Sequence, residues 1–159
     1  MKMQVQSDNI ISQLFIEQDI EVLEETSSSD GTFTLKVKSS DILKTFELLK
    51  NKADFYLLLF VCGTDFNDFI ELNYQLLSLK SNSKIVVKTE LNRAKPEIES
   101  VSSLYKSAEW HERETYDLLG VNFINHSELK RILLPEDWIG HPLRKDYVMQ
   151  DARLSWNDR

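Results

Sequence analysis

The sequence predicts an α+β fold: a mainly antiparallel sheet with helices packed on one face, followed by an extended C-terminal arm. Three observations carry that prediction. Short segments such as Phe33-Thr-Leu-Lys-Val-Lys alternate apolar and polar residues between turn-rich breaks, which is the period of a half-buried strand. Other segments repeat apolar residues every three or four positions, the period of an amphipathic helix. After Phe123 neither period survives, and Pro135, Gly140 and Pro142 punctuate the chain.

Each element follows in order. Ser7-Asp8-Asn9 offers an N-cap for a short helix carrying Ile10, Ile11, Leu14 and Phe15. Glu21–Glu25 and Thr32–Val37 flank Ser27-Ser28-Ser29-Asp30-Gly31 and read as a hairpin. Ser40-Asp41 caps a second helix with Ile42, Leu43, Phe46, Leu48 and Leu49 on its apolar side. Phe55 to Cys62 is a continuous apolar run, which predicts a strand central in the sheet. Gly63-Thr-Asp-Phe-Asn-Asp breaks it. Phe69 to Leu79 and Lys84 to Leu91 are two further strands around Lys80-Ser-Asn-Ser, and Asn92 to Glu99, with Pro96, reads as a loop. Ser102 or Ser103 caps a last helix whose stripe is Val101, Leu104, Tyr105, Ala108, His111, Thr115, Leu118 and Leu119. Gly120 stands where a left-handed C-cap belongs. The domain reading is one unit: residues 1–121 as the globular part and 122–159 as a docking arm.

Composition narrows the function. At 159 residues the chain is one domain long enough to bury a core without staples. The formal net charge is −7, so the reading is no nucleic acid, because phosphate binding wants a basic face. Residues 1–99 hold 11 bases and 16 acids; residues 100–159 hold 8 and 10. Dense, nearly balanced charge in the last third suits pairing with another protein. Cys62 is alone. It excludes a disulfide and a cysteine-held cluster within the chain, and it reads as a small buried hydrophobe. The start MKMQVQSDNI is too polar for a signal peptide. The longest apolar run, Phe55 to Gly63, is far below the ~20 residues of a membrane span. The expectation is a soluble chain, with any membrane association indirect.

The run Glu112 to Tyr147 is the densest in information. Arg113 has Glu109 four residues before it and Asp117 four after, on one helix face. Glu112 lies beside the apolar stripe, so its carboxylate is a candidate for partial burial, and a buried carboxylate needs a paired cation or several donors. Glu112 and Glu114 diverge by about 200° around a helix and cannot work as an acid–base pair. His111, His126 and His141 are fifteen residues apart, without helical metal-ligand spacing. No Gly-rich phosphate loop and no nucleophile elbow occurs. The arm mixes Ile132, Leu133, Leu134, Trp138, Ile139, Leu143 and Tyr147 with Arg131, Arg144 and Lys145. Trp, Tyr and Arg are enriched at interface hot spots, and an arm without its own helix period must lie on its own domain or on a neighbour. The expectation is docking on a partner, with Trp138, Ile139 and Tyr147 exposed.

These residues resemble a known family, the C subunit of the proton-pumping type I NADH:quinone oxidoreductase (respiratory complex I). The resemblance rests on Glu112-Arg113-Glu114, Asp117, Leu118-Leu119, His126, Lys130 and Ile132-Leu133 at the family's spacings, with Trp110 upstream and GHPLRKDY from Gly140 to Tyr147 behind. Ser127 stands where the family usually has Pro, and Lys130 where it usually has Arg; the second change gives up bidentate pairing. The resemblance implies a hydrophilic-arm structural subunit without a redox centre. The whole complex would carry FMN and iron–sulfur clusters on other subunits and pass electrons from NADH to quinone while exporting protons. The implied partners are chiefly the large quinone-site D subunit, with the B and I subunits close by, at the cytoplasmic side of the bacterial inner membrane. The implied interface residues are Glu112, Arg113, Glu114, Asp117, His126, Lys130, Arg131, Trp138, His141, Arg144, Lys145, Asp146 and Tyr147, the acids holding the arm's bases by charge-assisted bonds. Two alternatives stand beside this. One is the equivalent subunit of a related complex using reduced ferredoxin or a deazaflavin, or of an energy-converting hydrogenase. The other is a free-standing enzyme using Glu112 and His126.

Overall fold

The structure, a computed structural model, describes residues 11–149. Helix α1 occupies 11–17 and buries Ile11 and Phe15; the expected cap Ser7-Asp8-Asn9 lies outside the described residues. Strands β1 (Val22–Ser27) and β2 (Phe33–Val37) form the expected hairpin. Its turn is held by Asp30, whose carboxylate accepts the Thr32 N–H and O–H, each at 3.0 Å. Helix α2 spans Ile42–Lys52, and β3 (Leu57–Asp65), β4 (Phe69–Ser78) and β5 (Ser83–Asn92) complete a five-stranded sheet in the order β1-β2-β5-β4-β3. All pairings are antiparallel except β2 with β5. The fold is α+β, with a mixed, mostly antiparallel sheet.

Alternation along the strands puts one face inside. Leu35, Ile85, Val87, Ile70, Leu72, Tyr74 and Leu76 are fully buried. They meet Phe46, Ile42 and Leu49 of α2 in one continuous core. Phe46 stands edge-on to both Tyr74 and Tyr105, with ring centroids 5.0 and 5.7 Å away, a favoured aromatic arrangement. The opposite face carries ion pairs between Lys36 and Glu90 and between Lys88 and Glu71.

Three expectations need correction. The apolar run from Phe55 is not central: β3 is an edge strand. Only Leu58 and Val61 of its hydrophobes point into the core, while Leu57 and Leu59 stay exposed. A bulge between Leu58 and Phe60 leaves Leu59 outside the pairing. Cys62 therefore faces outward and is exposed rather than buried. The strand also runs on through Gly63. A Cβ there would lie 2.5 Å from the Leu119 Cδ1 and 3.3 Å from the Thr115 Cγ2, so this glycine lets the last helix approach the strand.

Second, Asn92 to Glu99 is not all loop. Strand β6 (Glu97–Glu99) pairs in parallel with β7 (Asn122–Ile124), bracketing the last helix. Three residues are too few for periodicity to reveal. Third, that helix, α3, runs from Ala108 to Leu119, not from Ser102 or Ser103. Residues 101–107 make turns instead. The Ser102 hydroxyl bonds the Ser100 hydroxyl at 2.7 Å. Tyr105 Oη donates to the Phe55 carbonyl at 2.7 Å, and Ser107 Oγ to the Leu58 carbonyl at 3.0 Å. These bonds pin the segment to the sheet before the helix starts. At the other end Gly120 adopts φ +73° and its N–H bonds the Tyr116 carbonyl, the expected left-handed cap.

Candidate functional site: the arm and its anchors

Past β7 the chain crosses α3 and is held mainly by polar contacts. The first anchor is Asp117, fully buried on α3. Its Oδ2 accepts the backbone N–H groups of Ile132, Leu133 and Leu134 at 3.0, 2.8 and 3.0 Å. Its Oδ1 takes the Arg131 guanidinium at 2.6 Å. Arg131 also donates to the carbonyls of Asp117, Trp138 and Gly140, so it ties helix and arm together. Burial alone would push the Asp117 carboxyl up. The Leu134 amide, the Arg131 guanidinium and the two other amides outweigh that and hold it below the usual carboxylate range.

Other bonds repeat this helix-to-arm pattern. Arg113 is buried and turns its guanidinium onto the carbonyls of Lys130 and Arg131 at 3.1 and 3.3 Å, with Cζ 5.1 Å from the Trp110 ring. His141 Nδ1 lies 3.0 Å from the Asp117 carbonyl oxygen; burial lowers its pKa. Arg144 Nε donates to the Leu119 carbonyl at 2.7 Å, and the Leu143 N–H to the Leu118 carbonyl. The last carbonyls of α3, which have no partner within the helix, are thus satisfied by the arm. Gly120 is required here twice over, for its φ and because a Cβ would meet the His141 ring at 2.5 Å.

A second anchor holds the far end of the arm, and sequence reasoning missed it. Asp65, buried at the end of β3, is gripped in a fork by Arg93, Nε to Oδ1 at 2.7 Å and Nη2 to Oδ2 at 2.9 Å. Asp65 Oδ2 also accepts the Lys145 N–H at 2.8 Å, and Arg93 reaches Asp146 at 2.8 Å. The Arg93 guanidinium holds the Asp65 carboxyl below its ordinary range. The clue was available in part. Asp65 opens the break before β4, and hairpin pairing of β3-β4-β5 returns Arg93 to the same sheet end.

Glu112 behaves differently. It is fully buried, yet among the described residues it makes no hydrogen bond to a base of the arm. Oε1 accepts the Val101 N–H at 2.8 Å and Oε2 bonds Ser100 Oγ at 2.5 Å. The His126 Nε2 stands 3.9 Å away and 3.1 Å from the Glu109 carbonyl. Burial drives the Glu112 pKa up to about 7 despite those two donors. Of the other sequence-selected residues, Glu114, Lys130, Lys145 and Asp146 are exposed, while Trp138 and Tyr147 are half-buried. Lys130 pairs with Glu128 at 2.5 Å, so the fork lost relative to the family pattern is not used within this chain. Ile139, Leu143, Leu133, Val148 and Met149 expose large apolar side chains along the arm. Among the described residues no group of three or more His, Cys, Asp or Glu side chains is arranged to hold a metal, and no helix is long and apolar enough to cross a membrane.

Comparison with known proteins places this arrangement. The family model described as the 30 kDa subunit of respiratory-chain NADH dehydrogenase matches residues 35–153. The C subunit of NADH-quinone oxidoreductase from Citrifermentans bemidjiense is 39% identical over 123 residues, 76% of each chain. The C subunit from Moorella thermoacetica is 42% identical over 118 residues, 73% of this chain and 80% of the relative. A fused C/D subunit of NADH-quinone oxidoreductase from Baumannia cicadellinicola is 34% identical over 88% of this chain and 25% of its own length. Two solved structures share the fold. One is a chain of an archaeal membrane-bound sulfane sulfur reductase, with TM-score 0.76, 23% identity, and 96% of this chain and 91% of that one covered. The other is the trypsin-resistant fragment of Nqo5, with TM-score 0.63, 21% identity, and 79% and 99% covered. The match over most of the chain, together with the relatives near 40% identity, shows that this protein belongs to the 30 kDa (C-type) subunit family of NADH-quinone oxidoreductase.

Proposed function

We propose that the chain is a bracing subunit of the hydrophilic arm of the complex, with no redox centre of its own, and that its C-terminal arm is the docking element. The observation that carries this is the pairing of rigid anchoring with exposed apolar side chains. Asp117 and Asp65 fix the arm backbone at two points, while Ile139, Leu143 and Leu133 face outward. A segment fixed in this way loses little conformational freedom on docking, which favours affinity. In this reading Glu112, Arg113 and Asp117 are positioning residues, because they are buried against their own chain. The contacts fall to Lys130, Trp138, Lys145, Asp146, Tyr147 and the exposed hydrophobes.

The proposed partner is chiefly the D subunit, with the B and I subunits nearby. The fused C/D relative supports this choice, because fusion keeps the two parts together. FMN, the clusters and quinone belong to other subunits in this proposal, and the chain sits on the cytoplasmic side of the bacterial inner membrane through its partners. The test is to tag the chain in its host, solubilise membranes gently and identify what migrates with it. The expected result is a large complex that oxidises NADH and reduces quinone. A complex without NADH oxidation would assign the chain to one using another donor. A lone species with turnover of its own would overturn the proposal.

A further inference from the structure

Two fully buried carboxylates, Glu112 and Asp117, sit five residues apart on α3, and their surroundings divide them. Asp117 has a guanidinium and three backbone amides, so its charge is matched. Glu112 has one amide and one hydroxyl, and among the described residues no cation lies within hydrogen-bond reach of it. We infer that Glu112 is a proton-binding site of the folded chain, a neutral carboxylic acid whose ionisation destabilises the fold where α3 meets the segment before it.

The groups facing Glu112 from each neighbouring element support this. On α3, Glu109 is one turn earlier, and its charge opposes ionisation of Glu112. Arg113 is adjacent, but its guanidinium is committed to arm carbonyls. From β4, the buried Tyr74 hydroxyl is raised well above its usual pKa by burial and by Glu112. From the arm, His126 is fixed by two hydrogen bonds. The Glu128 N–H donates to its Nδ1 at 3.0 Å, so Nδ1 carries a lone pair. Nε2 faces the Glu109 carbonyl, which can only accept, so Nε2 carries the hydrogen. Its Nε2 is 3.9 Å from Glu112, beyond hydrogen-bond reach.

The serine network suits both states. Ionised Glu112 accepts from the Ser100 hydroxyl. Neutral Glu112 reverses that bond, its Oε2–H donating to Ser100 Oγ at 2.5 Å, while Ser100 donates on to Ser102 Oγ at 2.7 Å. No heavy atom has to move. The burial that disfavours the anion also raises its pKa from 4.5 to about 7. In the unfolded chain the group ionises near 4.5, and in the folded chain near 7, so folding takes up a proton between those values. The stability this group contributes is whole below the lower value. It is lost as pH rises through the window to the upper one.

The test is carboxyl-carbon NMR of the full chain, labelled at its glutamates and titrated from about pH 4 to about pH 9, with Glu112→Gln identifying the signal. The expected signal has a midpoint near 7, against about 4.3 for ordinary glutamates. The folding equilibrium constant should fall about 300-fold across the window, since each pKa unit is a factor of ten, and Glu112→Gln should abolish that fall. If Glu112→Gln does not fold, Ser100→Ala provides the assignment: it removes one donor and should move the same signal to a higher midpoint. A Glu112 midpoint below about 5, or an unchanged pH dependence in a folded Glu112→Gln, would overturn the inference.

Discussion

Replacing Asp117 by Asn should release residues 132–134 of the arm from α3 without disturbing the core. The substitution keeps the shape and removes the charge. The amide nitrogen of Asn must then face either the Arg131 guanidinium or the three N–H groups of Ile132, Leu133 and Leu134, all of which are donors. Either orientation leaves donors unpaired at a site with no solvent exposure. Hydrogen bonds to a charged group contribute about 1.5–3 kcal/mol each, and not additively. Breaking a buried pair by removing one partner costs about 3–5 kcal/mol. A loss of about 3–5 kcal/mol is expected, a large part of a typical domain stability of roughly 5–15 kcal/mol. Denaturant unfolding gives the total. Hydrogen exchange at Ile132, Leu133 and Leu134 shows where it falls, because those amides should lose protection while core amides such as Leu72 keep theirs below the global limit. A loss under about 1 kcal/mol, with the three amides still protected, would refute the anchoring role.

Further outcomes follow from the same contacts. Arg93→Lys keeps the charge but gives up the fork on Asp65; it should lower the unfolding midpoint and free the Lys145 amide to exchange. Gly120→Ala forces a side chain into a positive φ and against the His141 ring. It should lower stability by more than about 1 kcal/mol, read as a fall in Tm. Asp117 and Glu112 should give opposite pH effects. Stability due to Asp117, whose pKa is lowered, is present above the unfolded value of 3.8 and is lost as pH falls through its folded pKa. Stability due to Glu112 is lost as pH rises from 4.5 to about 7. Unfolding curves of Asp117→Asn and Glu112→Gln across pH separate the two.

Much of the architecture was legible because alternation and helical period report burial on one face, as in β2, β4 and α2. The edge position of β3 was not, because a continuous apolar run reads the same in a two-sided strand as in a bulged edge strand beside a helix. Strands β6 and β7 were hidden by their length, three residues each. The start of α3 was misplaced because serine hydroxyls that cap helices in general are here committed to one another and to the sheet. At the site, Asp117 and Arg131 stood out in the motif, and the structure joins them. Glu112 was a candidate for partial burial and is fully buried, but its partners, Ser100 and Val101, come from the segment before the helix rather than from the arm. Arg93 and Asp65 were missed because their pairing spans 28 residues and only the hairpin register brings them together.

The central claim is that the outward apolar side chains of the anchored arm are what the partner grips. Ile139→Asp with Leu143→Asp tests it most directly, because both side chains are exposed, and surface substitutions typically change stability by under about 0.5 kcal/mol. The purified variant should unfold like the wild type but be lost from the solubilised NADH-oxidising complex, with the D subunit no longer recovered alongside it. Full incorporation of a normally folded double variant would contradict it and move the docking surface off the arm.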